Sequence, residues 1–156
     1  MPSFSLFRTC GSTEKSAENT TEVSTPVTVF LVEDNPADVL LIREALEEHR
    51  VRADVYVLSD GEKAMRFVDT EARALPSPDL VILDLNLPRK TGREVLQHIR
   101  DTEMLGSARV VVLSSSDAPR DMEESLRLGI TKYLRKPSNL TEFMSIGGVL
   151  RELMLK

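Results

Sequence analysis

The sequence predicts an α/β fold: one doubly wound parallel sheet with helices on both faces. Three observations carry this expectation. Short apolar, β-branched runs recur along the chain, each too short for most helices and suited to a strand buried on both faces. Segments of helical periodicity lie between them, and that alternation calls for parallel strands joined by right-handed crossovers. The central run Leu80-Val81-Ile82-Leu83 passes straight into Asp84 and then the turn signal Leu85-Asn86-Leu87-Pro88. Asp84 then stands at the carboxyl end of a parallel strand, where open α/β sheets bind ligands. The plain alternative is a strand-ending Asp that caps the next turn.

Residues 1–25 are rich in Ser, Thr, Glu and Asn and carry no sustained periodicity. They are expected to form a disordered tail, with the domain spanning 26–156. Met1 to Phe7 is mildly apolar, but Arg8 interrupts it too early for a secretory signal. The first strand is Val27 to Val32, β-branched and apolar. It ends in Glu33-Asp34, two carboxylates that repel one another unless a cation or donors offset them. Asn35 is an N-cap and Pro36 fits the first helical position. The helix they open runs to about His49, with Val39, Ile42 and Leu46 as its core stripe and Leu41 on the opposite side.

Asp54 to Val57 alternates and is short, which suits an edge strand. Asp60 caps a second helix to about Arg73, with Ala64, Phe67 and Val68 inward, and Leu75-Pro76-Ser77-Pro78 stops it. The central strand follows. Gly92 to Glu103 is a third helix with Val95, Leu96 and Ile99 on one side. Arg109 to Leu113 is a buried strand ending in Ser114-Ser115-Ser116. Ala118 to Leu128 is a fourth helix, closed by Gly129 at the C′ position. Lys132 to Arg135 is the fifth strand, ending at Lys136-Pro137. Asn139 and Glu142 have capping-box spacing for a last helix to about Leu155. For this size the natural strand order is flavodoxin-like, 2-1-3-4-5.

Composition sets bounds on function. The 156 residues suit one domain, and 41% apolar with 29% charged residues suits a soluble globular one. A net charge of −5 argues against general nucleic-acid binding. No apolar run approaches a transmembrane helix, so no membrane partner is expected. A single cysteine, Cys10, excludes an internal disulfide and fits a cytoplasmic location; it reads as a plain free thiol.

In this topology the carboxyl ends of four strands bring together Glu33, Asp34, Asp84, Ser114 and Lys136. Three carboxylates beside one lysine repel strongly, and a hard divalent cation such as Mg²⁺ resolves that. A backbone carbonyl at Asn86 completes such a shell. An aspartate beside Mg²⁺ is a competent nucleophile toward a phosphoryl donor. Lys136 and the Ser114 hydroxyl then take the remaining oxygens. The chain has no Gly-rich phosphate loop, so the donor must bring its own phosphoryl group.

These residues resemble the receiver domain of two-component response regulators. The matching pieces are VFLVEDN, VILDLNLPRKTG, VVVLSSS and KYLRKP. Ser114 lies 30 residues after Asp84 and Lys136 lies 52 after it, as in that family. The resemblance covers about residues 27–155. It implies that Asp84 is the phosphoacceptor and that Asp34, Asp84 and the Asn86 carbonyl bind Mg²⁺ directly, with Glu33 acting through water. It further implies Ser114 as the switch hydroxyl, Lys136 as the phosphoryl-binding lysine, Tyr133 as the aromatic switch, and a cis Lys136–Pro137 bond. Glu33, Ser114 and Leu87 depart from the commoner Asp, Thr and Met without losing a required group. VEDNPAD with LPRKTG is similar to stand-alone receivers that partner bacterial phytochrome histidine kinases.

Plain readings stand beside these. Ser114 could simply end a strand, Tyr133 could be an ordinary strand aromatic, and Lys136 could be solvated. Arg89 and Lys90 read as an exposed turn. His49 and His98 lie on helices away from the acidic cluster and are not expected to be phosphodonors.

The family's output face is the fourth helix, fifth strand and fifth helix. The last helix has a broad apolar surface, and Phe143, Ile146, Val149, Leu150 and Leu153 are the candidate face for a homodimer. Ala37, Asp38 and an exposed Leu41 are the candidate docking patch for the sensor histidine kinase, a bacteriophytochrome by the narrower match. The runner-up function is an aspartyl-nucleophile phosphatase. That class uses a second Asp two residues after the nucleophile, where this chain has Asn86.

Overall fold

The structure is a computed structural model, and it describes residues 5–9 and 25–155. Its sheet has six strands in the order β1-β3-β2-β4-β5-β6. Five of them are parallel: β2 (Val27–Val32), β3 (Ala53–Leu58), β4 (Leu80–Leu83), β5 (Val110–Ser114) and β6 (Lys132–Arg135). Their order is the expected 2-1-3-4-5. The helices are α1 (Pro36–Glu48), α2 (Gly61–Asp69), α3 (Gly92–Asp101), α4 (Pro119–Arg127) and α5 (Leu140–Leu155). A short 3₁₀ turn, Glu71–Ala74, follows α2.

The sixth strand corrects the expectation of a wholly disordered tail. β1 (Ser5–Thr9) pairs antiparallel with β3, from Ser5 opposite Val57 to Thr9 opposite Ala53. An edge strand offers a row of unpaired amides and carbonyls that templates another segment, and five residues suffice to use it. β3 is therefore second in the sheet, not its edge. Cys10 and the rest of residues 1–24 lie outside the described residues.

Alternation along the strands sorts the core into two layers. Val81 and Leu83 join Ala64, Phe67, Val95, Leu96 and Ile99 beneath α2 and α3. Leu80 and Ile82 join Val39, Ile42, Leu46, Phe143, Ile146 and Leu150 beneath α1 and α5. The helix signals act as the sequence indicates. Asn35 accepts from the Ala37 and Asp38 amides, Asp60 accepts from Lys63, and Asn139 accepts from Glu142 at 2.8 Å. Gly129 closes α4 with φ +78°.

Two expectations about helix faces are corrected. Leu41 is half-buried against the core under α1 and α5, and the exposed leucine of α1 is Leu40, at 48%. The reason is α5, which packs alongside α1 and encloses the flank that a single-helix wheel leaves open. The same contact removes most of the dimer face. Phe143, Ile146 and Leu150 are buried within this chain, and Val149 and Leu153 are half-buried. The approach is close because of Gly147: a Cβ there would lie 2.1 Å from the Ala45 carbonyl oxygen. His49 Nε2 also meets the Met144 carbonyl at 3.1 Å. No described helix is long and apolar enough to cross a membrane.

Candidate functional site

The carboxyl ends of β2, β4, β5 and β6 meet at one edge of the sheet, and each delivers a chemical group there. β2 passes into Glu33 and Asp34, with the Glu33 amide still bonded to the Leu58 carbonyl at 3.0 Å. β4 passes into Asp84, whose amide bonds the Val32 carbonyl at 3.0 Å. The ladder thus continues one residue past the apolar runs and fixes both backbones. Glu33 and Asp84 are buried, and Asp34 is exposed. One carboxylate oxygen from each of the three lies within 4.8 Å of the others.

Lys136 answers this cluster from the end of β6. Its amide is held by the Ser114 carbonyl at 2.8 Å. Its Nζ reaches Glu33 Oε1 at 3.0 Å, Asp84 Oδ2 at 3.1 Å and Asp38 Oδ2 at 2.8 Å. Burial opposes the ammonium charge, but bonds to Asp38 and Glu33 and the charge on Asp84 outweigh it and hold Lys136 above the ordinary lysine range. Burial pushes the Glu33 carboxyl up to about 7 and the Asp84 charge adds to this, against bonds from Lys136 and the Asn35 amide. One lysine therefore leaves the cluster short of positive charge. Hard oxygen donors, partly open to water through Asp34, are the donor set a divalent cation takes.

The loop after Asp84 is built to keep the carboxylate in place. The Asn86 amide donates to Asp84 Oδ1 at 3.1 Å. Gly92 opens α3 directly behind it: a Cβ there would lie 2.2 Å from the Asp84 carbonyl oxygen. Thr91 caps α3 with a reciprocal capping box to Glu94. Ser114 is fully buried at the end of β5, and its Oγ accepts from the Ser116 amide at 3.2 Å. Tyr133 is half-buried, and its hydroxyl donates to the Ser116 carbonyl at 3.0 Å.

The structure thus gathers Glu33, Asp34, Asp84 and Lys136 in one cluster, with Asn86 beside it. Ser114 and Tyr133 stand on the adjoining strands, linked through Ser116. Of the docking patch, Ala37 is exposed, while Asp38 is engaged by Lys136 and Leu41 is half-buried. Sequence reasoning gave Asp38 no part in the lysine's binding. The available signal was its spacing: Asp38 lies four residues after Asp34, on the first turn of α1, which stacks it toward the same end. Among the described residues no peptide bond is cis, so the Lys136–Pro137 bond is trans, contrary to the expectation. The trans preference of such bonds is only about 0.5–1 kcal/mol. His98 pairs with Asp69 at 2.7 Å on the α2–α3 side, and His49 packs on α5.

Comparison with known proteins agrees with this geometry. Residues 29–146 match the response regulator receiver domain. Response regulator Rcp1 of Synechocystis sp. is 38% identical over 131 residues, which span 82% of this chain and 89% of that protein. The solved structure of the phosphorylated cyanobacterial phytochrome response regulator RcpA superposes with a TM-score of 0.77 at 40% identity, covering 85% of this chain and 96% of that one. The manganese-bound form of Rcp1 superposes with a TM-score of 0.75 at 36% identity, covering 84% and 96%. With its five parallel strands, its acidic cluster and its strand-end lysine, this chain belongs to the response regulator receiver family and is similar to the phytochrome response regulators within it.

Proposed function

We propose that this receiver takes a phosphoryl group from a sensor histidine kinase onto Asp84, with Mg²⁺ at the acidic cluster, and signals through the face of α4, β6 and α5. The observation that carries the reading is Lys136 Nζ bridging Asp84 Oδ2 and Glu33 Oε1 next to Asp34. A nucleophilic carboxylate, a cation site and a fixed ammonium then share one pocket. Phosphorylated RcpA and manganese-bound Rcp1 among the relatives support it. The phytochrome relatives favour a bacteriophytochrome kinase in the cytoplasm as the donor.

Asp34, Asp84 and the Asn86 carbonyl would hold Mg²⁺, with Glu33 acting through water. When bound, the cation neutralises charge developing on the transferring oxygens. An Asp84 oxygen attacks phosphorus, the phosphorus–nitrogen bond to the donor imidazole breaks, and its electron pair stays with that nitrogen. The product is an acyl phosphate. Lys136 stays protonated and binds one phosphoryl oxygen, and the Ser114 hydroxyl binds another. Tyr133 follows the loop after β5 and changes the output face, where Met122, Leu126 and Leu140 are exposed. The kinase docks beside the site over α1, where Ala37 and Leu40 are exposed.

Incubation with acetyl phosphate and Mg²⁺, followed by mass spectrometry, tests this. One phosphoryl adduct is expected, absent in Asp84→Asn and after chelation. Continuous turnover of phosphomonoesters would overturn the reading in favour of a phosphatase.

A further inference from the structure

The loop after β5 is tied down by groups that the proposed phosphoryl site does not use. Ser116 Oγ donates to Asp121 Oδ2 at 2.6 Å, on the first turn of α4, and accepts from the Ala118 amide at 3.2 Å. Asp121 is in turn held from a different helix. Arg93 Nη2 lies 3.3 Å from Asp121 Oδ1, and Arg93 Nε lies 2.9 Å from Glu124 Oε1, one turn further along α4. Arg93 directly follows Gly92, the residue packed on the Asp84 carbonyl. The loop that carries Ser114 is therefore anchored through α4 to the start of α3.

We infer that Arg93 and Asp121 form a latch that holds the Ser114–Ser116 loop in its resting position and so sets how readily Asp84 takes up a phosphoryl group. The inference rests on the phosphoacceptor reading above. A phosphoryl group on Asp84 draws the Ser114 hydroxyl toward it. Ser116 follows only by stretching its bond to Asp121 or by carrying α4 along. The second Asp121 oxygen and Glu124 are in the grip of Arg93, which resists the movement of α4. The resting and phosphorylated arrangements thus differ in these contacts, and a ligand shifts the balance only by its differential affinity. Apparent affinity falls with the fraction of molecules in the competent arrangement, and breaking the latch raises that fraction. The Ser116–Asp121 bond is charge-assisted and short, so it is the stronger element. The Arg93 pairs are half-exposed and contribute less. Both are positioning residues, since neither touches the cluster.

Beryllofluoride with Mg²⁺, a mimic of a phosphoryl group on aspartate, is the probe, with affinity measured by calorimetry on the full chain. Arg93→Ala and Asp121→Ala are each expected to tighten beryllofluoride binding by about threefold to tenfold. The double variant gains no more than the better single one, because both act through one contact. Mg²⁺ affinity without beryllofluoride is unchanged, and Arg93→Lys retains most of the wild-type behaviour. Should Asp121→Ala unfold, Arg93→Ala, on another helix and half-exposed, carries the test alone. Equal or weaker beryllofluoride binding in the variants overturns the latch and leaves the phosphoacceptor reading standing. A wild-type protein that binds no beryllofluoride overturns both.

Discussion

Lys136 Nζ stands 2.8 Å from Asp38 Oδ2, nearer than it stands to either carboxylate of the acidic cluster it reaches. Asp38 sits on the first turn of α1, so the ammonium is steered from the helix as well as from the strand ends. A Lys136→Met variant removes the ammonium held between these carboxylates. It is expected to bind Mg²⁺ several-fold more tightly and to lose most of its labelling by acetyl phosphate. Asp38→Asn leaves two of three bonds to the lysine and is expected to change the labelling rate by less than about tenfold. Isothermal titration and timed mass spectrometry separate the two effects.

Cation binding to the cluster adds directly to stability, because the unfolded chain does not assemble the site. At a free Mg²⁺ concentration one hundred times its Kd, the wild type is expected to gain about 2.7 kcal/mol. Asp84→Asn, with one carboxylate fewer, is expected to gain much less at the same concentration. Urea titrations with and without chelator give both numbers.

Gly92 leaves no room for a side chain against the Asp84 backbone. Gly92→Ala forces the start of α3 away from the β4 end, at a cost of about 1–3 kcal/mol. Because the displaced backbone carries Asp84 and Asn86, Mg²⁺ affinity is expected to fall with stability. Thermal unfolding and metal titration of the same variant check whether the two losses go together.

The capping box of α3 has a definite pH signature. The Thr91 backbone bond, then the Thr91 hydroxyl, hold the Glu94 carboxyl below its ordinary value of 4.5, with Lys90 helping slightly. A depressed acid stabilises the fold when ionised. The contribution of Glu94 is therefore fully present above pH 4.5 and is lost as pH falls through its lower folded-state value. Glu94→Gln is expected to melt below the wild type at pH 7, with the difference closing in acid. Thr91→Ala removes the other half of the box, at about 1 kcal/mol.

Deleting residues 1–9 removes β1 and bares the outer edge of β3. A lower melting temperature and concentration-dependent self-association, seen by light scattering, are expected.

The site was legible where a residue terminates a buried run. Glu33, Asp84 and Ser114 each directly follow an unbroken apolar stretch, with Asp34 next after Glu33, and a parallel sheet brings such ends to one edge whatever the loops do. Lys136 followed from the same logic, although β6 is less buried than the other parallel strands. What escaped depended on contacts between elements far apart in sequence. Asp38 meets Lys136 across 98 positions, and only its place on the first turn of α1, just past the β2 end, hints at the pairing. The apolar surface of α5 looked unpartnered because a helical wheel counts residues on one helix, while Gly147 lets α1 approach and cover them. β1 escaped because a strand of five residues is defined by the edge it joins more than by its own pattern.

The antiparallel sense of β1 has a practical consequence for how this protein is handled. Ser5 lies opposite Val57, at the end of the sheet where Glu33 and Asp84 gather. α5 runs the other way, so Leu153, whose carbonyl takes a bond from Arg109 just before β5, lies at the far end. Ser5 and Leu153 therefore mark opposite ends of the sheet, Ser5 at the end that carries the acidic cluster. Immobilisation through a side chain near Leu153 leaves the acidic cluster facing solution, while a fluorophore at Ser5 is placed to report on cation binding at that end.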